Sequence, residues 1–553
     1  MKSIFTKALL LILIMWGFEL MAQTNTWNGS SSTAWNTPAN WSLGHAPLAS
    51  ENVVIPSAPA NQPLISGTTT PVCTNLTINS GASLTISGTS VANALLTVSG
   101  TATINGHLSI GGSITKTGKI AVGNILWNSG STINALYNAR CEVSGNWTFA
   151  SGSDINTGLC FVTFNGTANA VIYNYSATSK FSSLTLAKTT TATTSFGTGS
   201  VGLTITGGLN INADNTFTCS QNITTILQGN ITCNGLINFY QGTVRLERTS
   251  AQSLSLSAPG NKFNNLVVAC GETVTLNNSL NILGDFTLEY GTFDPQNNTL
   301  YVTGDWNNEA GPEYFTEGSG KVVLNVIINK NGKGAYDQHI NYSEDFNILE
   351  INNAYGEVII NSMATIVTCN QYNWTAGGIK VEAGTFTAMD LADNGIFGKF
   401  SLQTGGTINL TNNDGFVDLN GATITITGGD FNVYGGTSDS YWPYGVASSI
   451  TMSDGTLNFA QTGIRVESAP ALTYNITGGT IKTAEDFSSY NSNFDPAGGT
   501  VELYGPDDAD LYLITGSTLY SVKINKGASS KEVGSGFQEI VRMNRETGKP
   551  IDD

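Results

Sequence analysis

Three carboxylates fall in one short turn: Asp507, Asp508 and Asp510, in the run Gly-Pro-Asp-Asp-Ala-Asp-Leu-Tyr. Calcium takes several oxygen ligands converging on a bend in the chain, so this turn could supply part of a Ca2+ site. The competing reading is a solvated acidic turn between strands. Tyr441, Trp442 and Tyr444 surround Pro443 in a segment that interrupts the surrounding pattern. Exposed aromatic rings can stack on sugar faces while their polar edges hydrogen-bond, which makes these three a candidate glycan-binding group. The alternative is an ordinary loop whose tryptophan folds back. Of the seven cysteines (73, 141, 160, 219, 233, 270 and 369), Cys219 and Cys233 are the closest pair and the candidate disulfide. The odd count and the lack of any Cys-x-x-Cys leave buried thiols as the other possibility.

Catalytic groups are harder to find. His45, His107 and His339 are the only histidines, and none stands in a recognisable acid–base motif. The Asp, Lys, Arg and His clusters of sugar-cleaving β-helix enzymes are not found in a fitting order. No serine or cysteine has the context of a nucleophile. The expectation is therefore no catalytic residue, no enzyme activity and no cofactor beyond the calcium considered above.

The positioning elements must be strands. Of 553 residues only 11% are charged, against roughly 25% in an average soluble domain. Helices normally carry Glu, Lys and Arg on their wet face, whereas this chain must solvate itself with Ser, Thr and Asn. A net charge of −17 disfavours nucleic acid and anionic lipid as partners. At the N-terminus Lys2 and Lys7 precede an apolar run from Ala8 to Phe18 and a small residue at Ala22. That order predicts a secretory signal peptide over residues 1–22 and an extracellular or outer-surface mature chain. No later run is long and apolar enough to span a membrane.

From residue 72 onward alternating apolar pairs recur: Leu76 and Ile78, Leu84 and Ile86, Leu96 and Val98, Leu108 and Ile110. Gly, Asn and Ser punctuate them, so each reads as a short strand with one buried face. A longer similarity links the segments around Val162, Val244, Val322, Val417 and Val501, at offsets of 82, 78, 95 and 84. The pattern predicts an all-β fold, an elongated right-handed parallel β-helix with units of four coils; the alternative is a string of β-sandwiches. Residues 23–63 read as a Trp-rich cap in which Trp27, Trp35 and Trp41 pack over the first coil. Residues 64–528 read as the repeats, and 529–553 as a polar tail, frayed or briefly helical. Asparagines at turns are expected to form hydrogen-bonded ladders.

Trp27-Asn28-Gly29, Trp35, Asn40-Trp41 and Asn52-Val53-Val54-Ile55-Pro56 resemble the start of repeat-rich secreted surface proteins of the Bacteroidetes, as do the later NLTINSGASLTISG and SLNILGDFTLEYGTF. The resemblance implies adhesin-like cargo of the type IX system, whose members commonly carry a C-terminal sorting β-domain; the residues after Lys526 do not resemble one. Residues and resemblance together predict a secreted or surface scaffold that meets extracellular glycans, matrix or cell surfaces. A carbohydrate-active β-helix enzyme and a glycan-binding module are the rival readings.

Overall fold

The computed structural model describes residues 22–68, 70–326, 336–391, 395–412, 417–435, 438–507, 509–526 and 533–535. The expected signal peptide lies outside the described residues but for its last residue, and so does all of the tail but Val533–Ser535. Strands dominate, and the helical content among the described residues is two short 3-10 turns, Pro38–Asn40 and Pro312–Tyr314. The strands stack in parallel as a β-solenoid of about 20 turns. A sandwich would need antiparallel ladders; the strand ladders here are parallel, and one isolated bridge, Trp27 to Trp41, runs the other way. The chain divides into two units: residues up to Gly242 with Ser257–Pro259, and Thr243–Leu256 with Gly260 onward.

In the first unit Thr24–Thr26 pairs with Asn52–Ile55, which pairs in turn with Leu76–Ile78. The segment read as an N-terminal cap thus contributes strands to the same parallel ladder as the coils that follow. Its three tryptophans are buried, with Trp41 set 4.9 Å from Trp27 and 4.7 Å from Trp35. Their polar edges are used internally as well. Trp27 Nε1 donates to the Asn61 carbonyl and Trp41 Nε1 to the Trp35 carbonyl, each at 2.6 Å. One inward column then runs Cys73, Val98, Val122, Val143, Phe164, Leu186, Ile211, Cys233, one residue per coil. Period-two alternation sends these side chains inward and their neighbours outward, so every coil buries the same register positions. A second ladder stacks Leu64–Ser66, Ser83–Ser87, His107–Gly111 and Thr132–Ala135.

The second unit repeats the scheme. Phe386, Ile408, Phe431, Leu457, Ile481 and Val501 form one inward column, which ends at a half-buried Val522. A separate ladder holds Ser440–Trp442, Ile464–Val466, Phe487–Ser489, Ala509–Leu513 and Val533–Ser535. Strand pairing therefore reaches into the stretch expected to be a frayed tail or short helix. One asparagine pair forms at turns as expected, Asn128 Nδ2 donating to Asn105 Oδ1 at 2.7 Å; a longer ladder runs on strands instead, Asn458 Nδ2 donating to Asn432 Oδ1 at 3.1 Å and Asn432 Nδ2 to Asn409 Oδ1 at 3.0 Å.

Coil length varies. Leu266 faces Phe286, an offset of 20, whereas Val322 faces Leu349, an offset of 27. Because of this drift the valine similarity is not a count of whole coils. Val244 belongs to the ladder Val244, Leu266, Phe286, Trp306, whereas Val322 belongs to Leu280, Leu300, Val322, Leu349. The two look alike because each is the second residue of a strand that follows a glycine, Gly242 at φ +77° and Gly320. Local turn chemistry repeats there; the position around the coil does not.

Candidate functional site

The outward side of the Ser440–Ser535 ladder carries the most unusual surface chemistry. Its inward residues are apolar or small: Ile464, Phe487 and Leu511 follow Ser440 in register, and Trp442, Val466 and Ser489 form the next column. The residues between them must face out. Register places Tyr441 opposite Arg465, Arg465 opposite Ser488, and Ser488 opposite Tyr512. Tyr490, just past its strand, sets its ring beside both Arg465 and Tyr512.

An aromatic and cationic stripe results. The Arg465 guanidinium lies 5.2 Å from the Tyr441 ring and 4.2 Å from the Tyr490 ring. Tyr490 in turn lies 5.1 Å from Tyr512, and Tyr444 lies 6.0 Å from Tyr441. Glu467 holds Arg465 through a charge-assisted bond to Nε. Guanidinium planes suit this sandwiched setting because they stack flat on aromatic faces and shed water more readily than an ammonium.

Carboxylates gather beside the stripe. Burial and the neighbouring charge of Asp486 raise the Asp439 carboxyl above its ordinary value, while Arg465 pulls it the other way. Burial, then Asp439 and Asp486, raise Glu485 in the same sense. Gly463 makes room for this packing, since a Cβ there would sit 2.2 Å from Asp439 Oδ1.

The residues singled out in the sequence are dispersed differently. Tyr441 and Tyr444 stand on the stripe. Trp442 does not: it is fully buried, 5.3 Å from Phe459, with its Nε1 donating to Ser440 Oγ at 3.2 Å. Strand alternation explains the correction, because the neighbours of an outward Tyr441 must point in. Asp507 and Asp510 are exposed, the Asp510 backbone N–H donating to Asp486 Oδ1 at 2.6 Å, while Asp508 lies outside the described residues. Among the described residues no group of three His, Cys, Asp or Glu side chains could hold a metal ion. Cys219 and Cys233 are both buried on separate ladders, opposite Phe239 and Ile211, and are not bonded to one another. Fourteen residues is less than a coil, so the chain turns a corner between them.

The histidines are scattered. His45 meets Glu51 at 3.5 Å, His107 Nδ1 meets Thr132 Oγ1 at 2.7 Å, and His339 meets Asp305 at 3.4 Å. Charged residues do share one outward column, Lys482, Glu502 and Lys523. They serve one another: Lys523 Nζ lies 3.0 Å from Glu502, and Asn525 donates to the same carboxylate at 2.8 Å. Burial pushes Glu502 up, but the bonds from Asn525 and Lys523 outweigh it and hold the carboxyl below its ordinary value.

Arg465, Tyr490 and Tyr512 were not apparent from motifs. Their signal is coil spacing: from Tyr441 the steps are 24, 25 and 22 residues. Such a series becomes visible only once the coil length is known.

The chain is thus a parallel β-solenoid that carries an aromatic–arginine stripe on the outward side of the ladder over residues 440–513. Residues 26–132 match the model of a domain of unknown function, DUF8693, which spans the tryptophan cluster and the first coils of the first unit. No curated protein and no solved structure matches the chain. Among the described residues no helix is long and apolar enough to cross a membrane.

Proposed function

We propose that this protein is a secreted or cell-surface scaffold, adhesin-like and non-enzymatic, that engages extracellular glycans through the Tyr441–Arg465–Tyr490–Tyr512 stripe. The observation that carries the reading is the Arg465 guanidinium held between two tyrosine rings on an outward column. Tyrosine offers a flat apolar face and a polar edge at little entropic cost, a combination suited to the faces and hydroxyls of sugar rings. Coils about 4.8 Å apart repeat these faces along one line, which favours an extended glycan over a single sugar. The surrounding carboxylates and the overall charge of −17 favour neutral glycans over sulfated or uronic ones. The test is a glycan array probed with the full chain and with Arg465→Ala and Tyr490→Ala. Loss of binding by tenfold or more, with the strand signal in circular dichroism retained, supports the site. Equal binding by all three proteins removes it.

A catalytic reading is favoured by one observation, the raised carboxyls of Asp439 and Glu485 beside the same stripe. Glycoside hydrolysis requires a general acid whose carboxyl is raised, beside a second carboxylate that stays ionised. Release of reducing ends from any glycan bound on the array, abolished by Glu485→Gln, would establish it. Binding without turnover keeps the scaffold.

A further inference from the structure

We infer that Cys141 and Cys160 form a disulfide that closes one coil of the first unit into a covalent ring. Cys141 lies in Ala139–Val143 and faces Ile120 in the coil before and Val162 in the coil after. Cys160 stands two positions ahead of Val162. The turn at Asn156–Gly158, with Gly158 at φ +57° and its N–H bonded to Asn156 Oδ1, folds the chain back so that Cys160 also points inward. Both are buried, and their Sγ atoms are 3.1 Å apart. That is about 1 Å more than the bond itself, a gap that small side-chain rotations can close.

Other thiols are differently placed. Cys219 Sγ lies 3.4 Å from the Gln221 carbonyl and Cys270 Sγ 3.4 Å from that of Ser250. The Phe161 carbonyl is 3.9 Å from Cys160 Sγ, so sulfur is its nearer partner.

The bond needs an oxidant, here a disulfide carried by a thiol–disulfide oxidoreductase or by a small thiol such as glutathione. One cysteine thiolate attacks that disulfide, forming a mixed disulfide and expelling one thiol. The second cysteine then attacks the mixed disulfide and expels the other. Two protons leave the protein, two electrons pass to the oxidant, and its S–S bond is exchanged for that between Cys141 and Cys160. The folded Cys160 thiol is a poor nucleophile: the hydrogen bond with Cys141, with burial, pushes it well above its ordinary value. The exchange therefore belongs to the folding chain, before the coil closes.

The consequence is mechanical. The ring fixes the Asn156–Cys160 turn, whose Leu159 and Cys160 line a groove with Tyr137 and Phe161. It also restrains the unfolded chain over nearly a whole coil.

The full chain, denatured and reduced, is refolded in a glutathione redox buffer, alkylated in denaturant and mapped by mass spectrometry. The expected result is a linked peptide pair containing Cys141 and Cys160. A chain refolded in dithiothreitol and only then given glutathione disulfide should oxidise at least tenfold more slowly. Reductant should lower the melting temperature of the oxidised protein by several degrees, and leave Cys160→Ala unchanged. Alkylation of both residues after oxidative refolding, or linkage of either to a different cysteine, overturns the inference. The mapping needs no variant and no glycan, so it stands apart from the binding reading and from where the protein resides.

Discussion

Two ladders, one in each unit, share a backbone plan and differ in what they show to solvent. The Leu64–Ala135 ladder of the first unit buries Leu84 and Ile86 against Leu108 and Ile110, and presents Ser83, His107 and Thr132 in one outward column and Thr85 and Asn134 in another, on either side of a buried Ser109. The Ser440–Ser535 ladder of the second unit buries Ile464 and Phe487 and presents Tyr441, Arg465 and Tyr512. Parallel register stacks equivalent positions at strand spacing, so a few substitutions one coil apart convert a hydroxyl-rich face into an aromatic one without touching the core. Inward columns set stability and outward columns set the surface chemistry, and the two can change independently.

The largest expected effects test the inward half of that statement. Phe487→Ala in the second unit and Leu108→Ala in the first should each cost about 2–5 kcal/mol in denaturant unfolding, because both side chains are fully buried. Thr85→Ala and Ser488→Ala, on outward columns, should stay within about 0.5 kcal/mol. Comparable losses for an inward and an outward substitution in one ladder would break the separation.

Acid–base behaviour should sharpen the contrast between the units next. In the second unit the buried Glu344 accepts bonds from Trp306 Nε1 at 2.8 Å, Asn308 Nδ2 at 2.9 Å and the Asp345 backbone N–H at 3.0 Å. Burial still pushes its carboxyl up to about 8, against those donors, and burial pushes Glu317 up to about 7. A folded carboxyl raised above its unfolded value binds protons more tightly in the native state. Its contribution is therefore complete below about pH 4.5 and is lost as pH rises toward 8. At about 1.4 kcal/mol per pKa unit, the second unit should lose a few kcal/mol of stability over that range. Denaturant midpoints measured from pH 5 to pH 9 check this, and Glu344→Gln should flatten the slope.

Much of this was legible in the sequence. Leu76 and Ile78, or Leu96 and Val98, announce strands by alternation, and glycine at the turns announces where they end. What the sequence hid was the circumference of the coil. Loops of different length intervene between Leu266 and Phe286 and between Val322 and Leu349, so no fixed period links ladder partners. Without that length Tyr441 could not be joined to Arg465, and Cys141 could not be joined to Cys160. Trp442 was misplaced for a related reason. It sits in an atypical segment, and only the pairing of Ser440–Trp442 with Ile464–Val466 shows which way its side chain points.

The smallest effect concerns the shape of a single cation. Arg465→Lys keeps the positive charge, and a lysine can still meet Glu467. It loses the flat face that rests 4.2 Å from Tyr490 and 5.2 Å from Tyr441. An ammonium is compact and strongly hydrated, so it would swing toward water and leave the two rings without a spacer. Stability should change by less than about 0.5 kcal/mol, since the exchange lies on an outward column. Glycan affinity should fall roughly three- to tenfold, the size of a surface cation–π contact of about 0.5–1 kcal/mol together with a less ordered platform. Calorimetric titration with a glycan selected on the array, run beside Arg465→Ala, separates the contributions. If lysine binds as well as arginine, charge alone holds the ligand; if lysine fails as completely as alanine, the stacked plane is what the ligand reads.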